Sequence, residues 1–534
     1  MKLGNIFKYL FALFAIGIIV FAGYTIYDNN KKKEEESKQV AEEKAKEDIT
    51  NKVTDIRIGI TNYDNINPII TNNKDILNLD FLIFEPLFNI SSDYKLEACL
   101  ATSSSNIGNN TYVITTNAAT TFSDGTIFTS NDVEFTINKI KESNSIYKAN
   151  VEHIVSTEII DATTIKINLD TEIPFFEYLL TFPILSSNYY VEDDFFTTEK
   201  APIGTGMYMI SDFSGGSITL SKNPKYRSLE ELKPFIETIK INLYSSKGEE
   251  FNSFKISNID MLSTTNLDYT NYVGTLGFIE HAYPGRNFDF LAFNCKDNIL
   301  SKREVRQAIA MCINKDNIIS SVFNNKVLKA NYPLDYGNYL YNSNSNKVDH
   351  NVEQARKILE EAGWENISGR WSKKEDGRTI KLEIKISVRS EDIDRMAVCN
   401  LIKQQLESMG IIVNIEEISN EKYLDYIENK DYQVLFTGIV NSFSPDLTYF
   451  FGDGNVLNYN NQEMKSLLNT AQTATSISDL KDKYQRIYNI YSQDIPFVGL
   501  YRNKNIMLTS QNLVGTFTPN NYKLYYGVNT WYRK

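Results

Sequence analysis

Ser145 and Lys148 stand at the serine-x-x-lysine spacing that places an amine beside a serine nucleophile in some acyl-transfer enzymes. No SDN or KTG partner motif accompanies it, and so short a match arises readily by chance in a chain of 534 residues. Gly204-Thr205-Gly206 has two glycines of a dinucleotide fingerprint but lacks the third and the downstream acid, which leaves it a strand-turn role. His153, His281 and His350 are widely separated and show no metal-ligand spacing. Cys99, Cys295, Cys312 and Cys399 contain no CxxC pair; Cys312 reads as a buried thiol, and the disulfide state stays open. The expectation is therefore a protein with no catalytic residue, no metal site and no cofactor.

Composition narrows the class further. With 55 basic against 67 acidic side chains the net charge is −12, and 42% of residues are hydrophobic. That excludes a disordered chain, a disulfide mini-scaffold and a nucleic-acid coat, which needs clustered cations to neutralise phosphates. The residues after position 54 suffice for about three domains at roughly 150 residues each.

Residues 1–27 differ from everything that follows. Ile6 to Tyr27 is almost continuously apolar, as long as the roughly 20-residue helix that spans a bilayer core. A retained membrane anchor and a cleaved signal, with Val20-Phe21-Ala22 as the cleavage segment, both fit. The first cysteine is Cys99, which excludes lipid attachment at the end of the run. Residues 28–54 mix charge blocks with helix formers and no apolar stripe, the pattern of a solvated linker that gives reach from a membrane.

From Asp55 onward short strands and helices intermix, predicting an α/β fold. Ile56, Ile58 and Ile60 alternate as on a half-buried strand, and TYVITT at 111–116 repeats the pattern. Thr129 and Asp132 form a capping box ahead of a helix that buries Val133, Ile137 and Ile140. A second capping box is expected at Ser301 and Glu304, opening a helix with Val305, Ala308, Ile309, Cys312 and Ile313 on one face. A further helix runs from about Asn351 to Ala362, with Gly363 as its stop.

Residues 380–437 read as a parallel unit. Ile380, Leu382, Ile384, Ile386 and Val388 mark one face of a single strand, and Ser390 caps a helix that ends at Met409 and Gly410. IIVNIEEI supplies the next strand, Asn420 to Asn429 a second crossover helix, and Tyr432 to Thr437 a third strand. Ligands of open parallel sheets bind beyond the carboxyl ends of the strands, so the loop Gly438 to Asp446 is the cleft expected from geometry.

Several segments together resemble the family 5 extracellular solute-binding proteins, the peptide and nickel receptors of ATP-driven importers. They are LIFEPLF at 82–88, FSDGTIFTSNDVEFTINKI at 122–140, APIGTGMYMI at 201–210 and KNPKYR at 222–227. FKISNIDML at 254–262, FDFLAFN at 288–294, REVRQAIAMCINKDNII at 303–319 and DHNVEQARKILEEAGW at 349–364 continue the series. The resemblance implies a periplasmic-binding-protein-like type II fold, two lobes with a hinge plus an appended domain, preceded by the N-terminal transmembrane helix or signal. Lobe I would combine about 55–90, 200–286 and 500–534, the appended domain would be 91–199, and lobe II 287–499. It further implies a monomeric receptor, outside the cell, that closes on a peptide or peptide-like solute and delivers it to ABC permease subunits.

The same resemblance assigns site residues. Asn441 occupies the position of an aspartate that pairs with the peptide ammonium in the family, Gly438 that of a common tryptophan, and Leu435 that of an arginine of oligopeptide receptors. An amide offers no charge, and charge-assisted hydrogen bonds are about twice as strong as neutral ones. Asp446 either supplies the missing charge or serves as a turn or helix-cap residue. Tyr147 matches a tyrosine that closes over bound backbone, and Phe443 and Asn67, in the 438–446 and 62–75 loops, complete the ligand-binding candidates. A ligand sensor or surface-binding protein that has lost transport, and a nickel-complex receptor, are the alternatives.

Overall fold

The computed structural model describes residues 53–190, 195–197, 199–214, 216–232, 234–342, 348–474 and 476–534. The apolar run at 1–27 and the charged linker at 28–54, up to residue 52, lie outside them. No helix among the described residues is long and apolar enough to cross a membrane.

One eleven-stranded sheet organises most of the chain. Its order is 412–418, 383–389, 434–440, 278–293, 497–510, 261–264, 55–61, 238–244, 217–222 and 208–214, with Leu328–Lys329 pairing off this path with the 497–510 strand. Strand Asp55–Thr61 runs parallel to Thr238–Tyr244 and to Met261–Thr264. Ile56, Ile58 and Ile60 are buried as their alternation predicts, each worth about 1.5–3 kcal/mol relative to exposure. At the far end Glu383–Arg389 runs parallel to Ile412–Ile418 and to Val434–Val440, as expected.

Two long strands, Phe278–Phe293 and Phe497–Ser510, pair antiparallel through the middle of the sheet. Their register breaks between Pro284↔Lys504 and Phe288↔Arg502, so that residues 285–287 face the single residue Asn503. Asn503 Oδ1 accepts the Asn287 N–H at 3.0 Å. A Cβ at Gly285 would lie 1.9 Å from that oxygen, so the close approach requires glycine.

A separate four-stranded antiparallel sheet has the order 101–106, 111–116, 164–169 and 154–161. Helix Ser130–Glu142 packs on it, burying Val133, Ile137 and Ile140 against Ile114, Ile165 and Ile167. Its Thr129/Asp132 capping box is formed.

Three local expectations need correction. Helix Arg303–Cys312 begins after Lys302 without a side-chain cap; Asp297 Oδ1 instead accepts the Ile299 and Leu300 N–H groups, ordering the turn that holds Ser301. The strand expected over 380–388 is two, because Arg378–Lys381 pairs with Arg370–Glu375 in a small sheet and the chain changes partners at Leu382. The following helix, Ile393–Ser408, starts after Asp392 rather than Ser390, and the Asp392 carboxylate pairs with Arg389 and Arg395.

Glu250 of helix Lys247–Lys255 lies wholly buried beneath Gly59, where a Cβ would come within 2.8 Å of its Cγ. Burial, partly offset by Lys247, lifts its carboxyl from the ordinary 4.5 to about 7. A raised carboxyl pKa contributes stability below about pH 4.5 that is lost as pH rises through about 7. Thermal unfolding should therefore show Glu250→Gln gaining on the wild type between pH 4.5 and pH 8; a pH-independent difference would contradict the burial penalty.

Candidate functional site

The two long strands are fastened to the segment 332–335 by one buried side chain. Arg502 is 2% exposed and pairs with Asp335, 7% exposed, at 3.0 Å. Its Nη2 also donates to the Pro333 and Tyr332 carbonyls at 3.2 and 3.3 Å, and its guanidinium lies over the Phe288 and Tyr336 rings. The Pro333 carbonyl takes a second hydrogen bond from Asn441 Nδ2 at 2.6 Å. Asn441 is further held through its backbone, donating to the Arg286 carbonyl at 2.9 Å and accepting from Arg286 Nε at 2.6 Å. The loop after strand Val434–Val440 is thus tied directly to the 285–287 irregularity.

A cavity of about 540 Å³ opens beside this junction, within the usual size for small-molecule sites. Lys74, Asn78, Tyr147, Arg286, Phe443 and Tyr522 are among its walls. Helix Lys74–Ile83 presents positions 74, 77, 78 and 81 to it, one face at helical spacing. A second cavity of about 360 Å³, lined by Phe175, Asn441, Asp446 and Tyr449 among others, shares Leu179, Val440 and Ser442 with the first. The two adjoin as a groove, with residues 173–181 on one side and 439–450 on the other. Aromatic rings close one wall, Phe443 lying 6.4 Å from Tyr94 and 5.4 Å from Tyr522 between ring centroids.

The structure distributes the expected site residues unevenly. Tyr147 and Phe443 line the larger cavity. Burial pushes the Tyr147 phenol pKa up, keeping it protonated, and among the described residues its hydroxyl has no protein partner. Asn441 and Asp446 line the smaller cavity with polar atoms already engaged: the Asn441 amide on Pro333, and both Asp446 oxygens accepting from the Thr448 N–H and hydroxyl.

Gly438 is still within the strand and lines neither cavity. A Cβ there would lie 2.6 Å from Arg395 Nη2 and 3.0 Å from Asp289 Oδ1, so the Arg395–Asp289 ion pair fills the space. Asn67 is 6% exposed and orders its own loop, accepting the Ile69 N–H on its side chain. From the 62–75 loop it is Lys74 that reaches the groove.

Lys74 and Arg286 were not among the expected residues. Each is an ordinary surface cation in sequence, and only the pairing of distant strands brings them to one cavity. The other chemical candidates stay apart. His153 contacts Asp170, His281 contacts Thr509, and His350 contacts the Met311 carbonyl. All four cysteines are free thiols. Ser145 is buried, its Oγ accepting the Tyr147 N–H.

The family model described as bacterial extracellular solute-binding proteins, family 5, middle, matches residues 95–460. The oligopeptide-binding protein AppA of Bacillus subtilis (strain 168) is 23% identical over 330 residues, covering 59% of this chain and 59% of that protein, less than two thirds of its length. The oligopeptide-binding protein OppA of the same strain is 22% identical over 400 residues, covering 70% of each. Among solved structures, the ABC transporter substrate-binding protein CtaP of Listeria monocytogenes superposes with a TM-score of 0.63 at 19% identity, covering 90% of this chain and 100% of that one. That likeness shows a shared fold.

The engagement of Asn441 sets a test at that position. Asn441→Asp removes the donor to Pro333 and buries a carboxylate against a carbonyl oxygen, which should lower stability by about 3 kcal/mol in urea denaturation. Unchanged stability together with tighter binding of peptides bearing a free ammonium group would show that the side chain faces ligand instead.

Proposed function

We infer that this chain, which belongs to the bacterial extracellular solute-binding proteins of family 5, is the receptor of an ABC importer and takes a peptide or peptide-like solute. The observation that carries the reading is the groove between residues 173–181 and 439–450, bordered by helix Lys74–Ile83 and roofed by Phe443 against Tyr94 and Tyr522. Its walls come from segments far apart in the chain, on both sides of the two long strands. A solute that touches both sides stabilises the closed arrangement, because only differential affinity shifts an equilibrium between open and closed states.

In this reading the lobes are about 55–90, 200–286 and 500–534 for one and 287–499 for the other, with 91–199 appended to the first. Both crossings between them lie on the paired long strands, and the mismatch of residues 285–287 against Asn503 supplies the hinge. Tyr147 offers a free hydroxyl to the solute backbone, and Ser442, exposed on the loop and common to both cavities, offers another. Binding and release involve no covalent chemistry. The receptor acts as a monomer outside the cell, held near its permease by residues 1–27 as an anchor.

Native mass spectrometry of the purified full chain, followed by thermal shift with what co-purifies, tests the reading. A true solute at 100 times its dissociation constant stabilises by about 2.7 kcal/mol. Peptide pools that give no shift, while a non-peptide solute does, would refute the peptide assignment. The anchor is checked separately by sequencing the mature amino terminus: residue 1 is expected, and a start near Gly23 would mean a cleaved signal.

A further inference from the structure

The larger cavity carries charge of one sign. Lys74 and Arg286 line it, and no aspartate or glutamate among the described residues does. Elsewhere the chain compensates the guanidinium groups it shields: Arg57 pairs with Asp260, Arg227 with Glu85, Arg395 with Asp289 and Arg502 with Asp335. Arg306, without a carboxylate of this kind, is satisfied by the carbonyls of Leu300, Ser301, Asp494 and Ile495. Arg286 is treated differently. It gives only Nε to the Asn441 carbonyl and rests its guanidinium 4.2 Å from the Phe443 ring, and no carboxylate among the described residues pairs with it.

Lys74, exposed to solvent on the cavity wall, has no ion-pair or hydrogen-bond partner for its ammonium among the described residues. Asp75, next in sequence, is turned to Ser263 Oγ at 2.6 Å and to Lys247 at 3.8 Å. Surrounding protein lowers the pKa of both cations; at Lys74 the Asp75 charge offsets part of this and the smaller Arg286 contribution lowers it again. Position 74 also opens its helix, where the positive end of the peptide dipoles disfavours a cation. Each of these unfavourable terms would be relieved by an anion between the two side chains. In the adjoining cavity Asp446 is the acid, and its oxygens are taken by Thr448, leaving no free carboxylate among the described residues of the groove for an ammonium group. The overall charge of −12 does not reverse this, since exposed charges beyond about 8–10 Å are largely screened.

We propose that the solute is anionic and that one of its carboxylates lies between Lys74 and Arg286 in the closed groove. The proposal rests on the peptide reading above and names the class of peptide. The larger cavity reads negative charge, whereas the ammonium group of the family resemblance belongs to position 441, which lines the smaller one. A free carboxyl terminus and an acidic side chain both supply that carboxylate.

Calorimetry with the full chain and short alanine peptides distinguishes these sources. The peptides carry a free or amidated carboxyl terminus, with either Glu or Gln at the centre. At least one carboxylate should tighten binding about tenfold over the amidated Gln peptide, about 1.4 kcal/mol, and the arm that gains shows which carboxylate is read. Acetylating the amino terminus should change affinity less than about twofold. Lys74→Met should erase the preference while leaving the unfolding midpoint of the free protein unchanged, because Lys74 holds no partner. Arg286→Lys should keep much of the preference that Arg286→Met loses. Equal binding of charged and neutral peptides, or a preference that survives in Lys74→Met, overturns the proposal and leaves the peptide reading standing. Absence of binding by every peptide overturns both.

Discussion

The buried pair of Arg502 and Asp335 is the constraint on which the arrangement of the groove depends. Removing one partner of such a pair leaves an uncompensated charge and costs about 3–5 kcal/mol. Here the guanidinium does more than neutralise Asp335. It reaches the Pro333 and Tyr332 carbonyls, and Pro333 in turn holds the Asn441 amide. Arg286 completes the circuit by bonding the Asn441 backbone in both directions. The position of the loop over the cavity is thereby set from the two central strands.

That circuit explains why an amide rather than a carboxylate stands at 441. The side chain must donate to a carbonyl oxygen in a site only 5% exposed, which an ionised acid is unable to do. With no charge at 441 and Asp446 occupied as a cap, the fixed charges that the described residues turn to the larger cavity are the cations Lys74 and Arg286. The absence at 441 and the excess at 74 and 286 are two sides of one electrostatic arrangement.

Much of the scaffold was legible because it obeys short periods. Ile56, Ile58 and Ile60, the box at Thr129 and Asp132, and the parallel pairing of 383–389 with 412–418 and 434–440 each follow from local pattern. The strand break at Leu382 did not, because alternation continues through it while the pairing partner changes. In the groove, Tyr147 and Phe443 were reached by resemblance, whereas Asn67 proved to serve its own turn. Lys74 and Arg286 had no local signature at all. Their significance lies in what is missing around them, and the lack of a partner is visible only once distant strands are side by side.

Gly438 constrains how such a groove can change over generations. Its missing side chain is the space that Arg395 and Asp289 occupy, and Arg395 is bound at the same time to Asp392. A larger residue at 438 would meet that guanidinium before it met any solute. Replacements therefore have an order: the arginine must yield first, and losing it alone leaves the largely buried Asp289 carboxylate without its ion-pair partner. A lineage starting from this chain would find it easier to alter specificity at position 74, whose side chain can be exchanged singly, than at 286, which also holds the Asn441 backbone, or at 438.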